Sequence, residues 1–98
     1  MGKTYRVIAN SYIASPHFLL YGDVHFEINE EVLTRISISS EVEWKKIQMD
    51  NLKKVFKELN YFDIEVNNEK HNVILTEFSN FEASFYLLEQ RIKYEQHE

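Results

Sequence analysis

Three stretches of this chain alternate apolar and polar residues so regularly that they constrain the fold more than any other feature. In residues 23–29, DVHFEIN, Val24, Phe26 and Ile28 share one face while Asp23, His25, Glu27 and Asn29 share the other. That two-residue period is the mark of a half-buried strand. VLTRISIS repeats it with Val32, Thr34, Ile36 and Ile38, and YFDIEV with Phe62, Ile64 and Val66. Each segment must lay its apolar side against other elements, so a sheet with one buried face is required.

The flanking segments extend the pattern. TYRVIANSYIA is rich in β-branched and aromatic residues without helical spacing and reads as a strand over residues 4–13, with Tyr5, Val7 and Ala9 on one face. SPHFLLYG then bends the chain at Pro16 and His17, and NEE turns it again, so the first forty residues read as a three-stranded antiparallel meander. NNEKHN is an asparagine-rich turn, and VILTEF is the returning strand of a second hairpin.

At Ser40 the period changes. Ser40-Glu41-Val42-Glu43 has the S-x-x-E form of a helix capping box. Behind it Trp44, Leu52, Val55, Phe56 and Leu59 recur at helical spacing, with Asn60 as a left-handed stop. Ser79-Asn80-Phe81-Glu82 repeats the box and predicts a last helix reaching about Tyr94, with Phe81, Phe85, Leu88 and Ile92 on one stripe. The expected fold is one α+β domain over residues 1–98: a mainly antiparallel sheet of about five strands with two helices on one face, in the order β-β-β-α-β-β-α.

Composition narrows the function classes. No cysteine is present, which removes disulfides, zinc–thiolate sites and thiol nucleophiles. Two glycines cannot build a P-loop or a dinucleotide fingerprint, so no cofactor is expected. The net charge of −5 argues against direct nucleic-acid binding. No apolar run reaches membrane-spanning length, and the expectation is a cytoplasmic chain without a membrane partner. A strand-borne Asp23-x-His25-x-Glu27 set would spread its ligands roughly 6.5–7 Å apart, wide for a single ion. Lys46, Lys53, Lys54 and Lys57 ride the polar side of the first helix, a solvated face interrupted by Asp50 and Glu58.

What remains is apolar surface in excess of what one sheet and two helices cover. Phe18, Leu19, Leu20 and Tyr21 are apolar on both sides of any strand, and Ala83, Leu87 and Tyr94 form a second stripe on the last helix. The chain is read as a non-enzymatic interaction protein for a protein partner, an adaptor or an inhibitor, with Phe18, Leu20, Tyr21, Leu87 and Tyr94 as contacts. Its small size, acidity and AT-rich compositional bias suit a phage-type inhibitor. The alternatives are a homo-oligomer joined through the last helix or a sheet edge, an acidic mimic of nucleic acid, and a small metal-dependent enzyme near His25.

Overall fold

A computed structural model describes residues 2–87. They form β1 (Lys3–Ala14), β2 (Leu19–Asn29), β3 (Val32–Ser39), α1 (Lys46–Glu58), β4 (Phe62–Val66), β5 (Glu69–Phe78) and β6 (Glu82–Leu87). All strand pairs are antiparallel, in the order β1-β2-β3-β6-β5-β4, and the sheet curls into a barrel closed by one pair, Ala14 with Glu65. The expectation of about five strands and two helices on one face is therefore corrected. The described residues make six strands and one helix, and the class is mainly sheet.

The difference lies in β6. Its residues fit two periods at once: Ala83, Phe85 and Leu87 alternate as a strand would, while on a helix Phe85 falls on one stripe and Ala83 and Leu87 on the other. Two strand edges, β3 and β5, need hydrogen-bond partners, and residues 82–87 fill the gap between them. Ala83, Phe85 and Leu87 then point into the core. Pairing with both neighbours outweighs the local capping signal. Ser79 makes a turn instead: its Oγ accepts from the Phe81 N–H at 3.2 Å.

The first capping box is overridden in the same way. Ser40 donates its N–H to the Phe81 carbonyl and Trp44 to that of Asn80, at 2.8 and 2.9 Å, so residues 40–44 are pinned to the loop before β6. Ser40 Oγ accepts from the Val42 N–H at 3.1 Å. α1 starts only at Lys46, where the Gln48 side chain accepts from the Lys45 N–H at 2.7 Å and donates to the Leu19 carbonyl at 2.7 Å. The left-handed stop falls on Leu59, one residue before the expected Asn60. Leu52 and Val55 are buried, each stabilising by about 1.5–3 kcal/mol. Phe56 and Leu59, expected on the same buried side, are exposed.

The core is the barrel interior. Ile13, Leu20, Val24, Ile36, Ile38, Ile64, Val66, Val73, Leu75 and Phe85 are all but sealed from solvent, and Trp44, Leu52 and Val55 join them. Three bulges bend the strands enough to wrap around it. In β1 an extra residue at Ala9–Asn10 puts Ile13 on the same side as Ile8, although they lie five apart. Thr34 and Thr76 are the extra residues in β3 and β5. Each turns its hydroxyl onto the facing strand, to the Glu27 and Ser84 carbonyls at 3.1 and 3.2 Å. The Thr34 bulge also corrects the expected face of β3: Leu33, opposite Ile28, joins the core in place of Val32 and Thr34.

Candidate interaction surface

The bend at Pro16 is built by Ser15. Its Oγ accepts from the N–H groups of His17 and Phe18 at 3.0 and 3.1 Å, and its own N–H donates to the Phe18 carbonyl at 2.9 Å. The His17 ring rests edge-on against Phe62, 5.4 Å between centroids. β2 leaves this turn in strict alternation. Phe18 and Leu20 enter the core, while Leu19 and Tyr21 face out.

The Asn10 bulge organises the outer face of β1 and β2. Asn10 takes a left-handed conformation, φ 54°, and donates its N–H to Asp23 Oδ1 at 3.1 Å. On the outer face Tyr12 lies opposite Tyr21, Val7 opposite His25, and Tyr5 opposite Glu27. Tyr5, Val7 and Tyr21 keep 63%, 56% and 63% of their surface in solvent. Large apolar groups at this exposure, along one face, are unusual for a surface that meets only water.

The free edge of β1 lies beside this face. Among the described residues, β1 pairs with β2 along its length on one side and with β4 only at Ala14 on the other. From Lys3 to Ile8, alternate N–H and C=O groups point away from the sheet. The two cations of this segment turn back over their own sheet. Lys3 Nζ is 3.6 Å from Glu27 Oε2, and the Arg6 guanidinium lies 5.9 Å from the Phe26 ring centroid.

A polar cluster occupies the outer face of β2, β3 and β6. His25 Nε2 is 3.0 Å from Ser39 Oγ. Glu27 sits between Lys3 and Arg35, with Arg35 Nε at 3.7 Å. Arg35 donates to the Tyr86 hydroxyl at 3.3 Å and lies 5.2 Å from that ring's centroid. His25, Glu27, Arg35, Ser39 and Glu82 border a shallow depression of about 420 Å³. The three members of the Asp23-x-His25-x-Glu27 set go to three different neighbours: the Asn10 N–H, Ser39, and the Lys3–Arg35 pair. Among the described residues no group of three His, Asp or Glu side chains converges to hold an ion, and no helix is long and apolar enough to cross a membrane.

Of the residues expected to make contacts, Phe18, Leu20 and Leu87 are buried in the barrel core, Tyr21 stands exposed, and Tyr94 lies outside the described residues. The proposed last helix also placed Leu88 and Ile92, which lie outside them too. Tyr5, Val7 and Leu19 are exposed apolar residues that the reading of the chain did not single out as contacts. The alternation of Tyr5 and Val7 was visible, yet which face of β1 meets water depends on the bulge at Asn10. Compared with models of known protein families, with characterised proteins and with solved structures, the chain matches none of them.

Proposed function

We propose that this chain is a non-catalytic protein-binding module, acting as an adaptor or inhibitor, that takes an extended segment of its partner along β1. The open edge from Lys3 to Ile8 carries this reading. A strand added there satisfies the outward backbone groups, and the exposed Tyr5 and Val7 beside it supply side-chain contact. Natural proteins guard such edges with charge, and here Lys3 and Arg6 are drawn back over β2. Tyr21 extends the same outer face toward the bend at Pro16.

The same edge supports a second reading, pairing between two copies of the chain. Both readings are tested by the double variant Tyr5→Lys, Val7→Lys, whose positions are exposed and whose stability should shift by no more than about 0.5 kcal/mol. Partner complexes isolated with the wild-type chain should be lost with this variant, and in the wild-type complex the amides of residues 3–8 should exchange more slowly. A complex that survives the substitutions, with unchanged exchange in β1, would refute edge docking. Light scattering separates the two occupants: a mass of 11.8 kDa at high concentration removes the homo-oligomer.

A further inference from the structure

On another part of the molecule, α1 and the end of β5 form an open groove of about 540 Å³ lined by Asp50, Lys53, Lys54, Phe56, Lys57 and Phe78. Phe56 is 38% exposed although its ring packs against Phe78 at 5.4 Å and 71°, which makes an aromatic corner open to solvent. Three ammonium groups surround that corner. Asp50, the one carboxylate in the lining, is held by Lys46 at 3.1 Å. Lys53, Lys54 and Lys57 have no carboxylate within ion-pairing distance among the described residues.

The chain has 16 acidic against 11 basic residues, so three unpaired cations around one apolar corner run against its overall charge. Screening confines the effect of distant charges to about 8 Å at physiological salt, so a ligand in the groove meets the local positive field. We infer that this groove docks an acidic peptide segment of a partner protein, one apolar side chain entering the Phe56–Phe78 corner and flanking carboxylates meeting Lys53, Lys54 and Lys57. Lysine ammoniums are mobile point charges that accept carboxylates in many geometries, which suits a flexible acidic segment. A nucleic acid fits less well. The two rings meet edge to face, at 71°, and do not form a run of parallel rings on which successive bases stack. A long polyanion is also repelled by the net charge of −5, whereas a short peptide feels mainly the groove. This docking does not depend on the β1 edge, and the substitutions that test the two lie on different elements.

The test is fluorescence anisotropy with a short labelled peptide of Asp and Glu around a Leu-Phe pair. Saturable binding is expected, weakened about tenfold or more, that is by about 1.4 kcal/mol or more, in the double variant Lys54→Glu, Lys57→Glu. The loss should be comparable when the Leu-Phe pair is replaced by Ser-Ser, and binding should weaken as salt rises. Lys54 and Lys57 are exposed, so the variant keeps the wild-type thermal unfolding, and Phe56→Ser tests the corner separately. Absence of saturable binding, or equal binding by the double variant, would overturn the inference. Tighter binding of a single-stranded oligonucleotide than of the peptide would do so in favour of nucleic acid, and equal binding of the Ser-Ser peptide would remove the apolar anchor.

Discussion

At Gly22 two strands of the barrel come close enough that only a residue without a side chain fits. A Cβ built on it would lie 2.1 Å from the Ser39 carbonyl oxygen and 3.3 Å from an Ile38 side-chain carbon. The first of these is backbone, which cannot swing away as a flexible side chain would. The neighbours of Gly22 explain the crowding: Asp23 pairs with Ser39, and Ser11, directly after the β1 bulge, lies on the other side. Gly22→Ala should therefore destabilise the chain by about 3 kcal/mol or more, at the upper end for an overpacked site. Urea denaturation measures it, and a variant within about 0.5 kcal/mol of wild type would show that β2 and β3 do not approach so closely here. From the sequence, this glycine looked like part of a bend. Nothing local distinguishes a glycine needed for a turn from one needed for a neighbouring strand.

The hairpins show how an element is tied to its turn. β4 and β5 are joined by Asn67 and Asn68, both with positive φ, 55° and 67°, the two-residue turn whose twist matches that of the strands. Asparagine tolerates that conformation, and the asparagine-rich NNEKHN marks it in the sequence, although the turn is shorter than that whole stretch. β2 and β3 use the same geometry at Glu30 and Glu31, φ 50° and 68°, where the side chains do not favour it. Glu31→Gly should relieve this and raise stability by about 1 kcal/mol, read as a higher urea midpoint with unchanged slope. No gain, or a loss, would show that this turn does not hold its left-handed residues. The two capping boxes teach the complementary lesson. Ser40 and Ser79 both form short side-chain turns, because the segments after them are held by strands and loops far away in the sequence.

At the scale of the whole molecule, β3 and β1 lie at opposite extremes. β3 is paired on both sides, by β2 and β6, and carries Ile36 and Ile38 at the centre of the core. Among the described residues, β1 is paired along its length on one side and reaches β4 through a single residue pair. Native-state hydrogen exchange should follow that order, with the amides of Ile36 and Ile38 slowest and the edge-facing amides of residues 3–8 among the fastest in the sheet. Equal protection of the two groups in the free chain would mean that the β1 edge is covered, which would sink both readings of its function.

The sequence by itself determined where most strands run, where the one described helix lies, and which side chains enter the core from β2, β4 and most of β3. Val24, Phe26, Ile36, Phe62 and Ile64 were legible because alternation is a local property: a strand's period can be read from a few neighbouring residues. Of the candidate site, Tyr21 was legible as a large apolar residue beside a bend, whereas the fate of Phe18 and Leu20 was not. Only the tertiary structure decided that residues 82–87 extend instead of coiling, that Phe18, Leu20 and Leu87 are covered within the chain, and that Tyr5 and Val7 are not. Those outcomes rest on hydrogen bonds between β6 and strands from both halves of the chain, and on bulges that reverse the faces of β1, β3 and β5. A single extra residue moves every later side chain to the other side of a sheet, and no local pattern fixes where the partner strand accepts it.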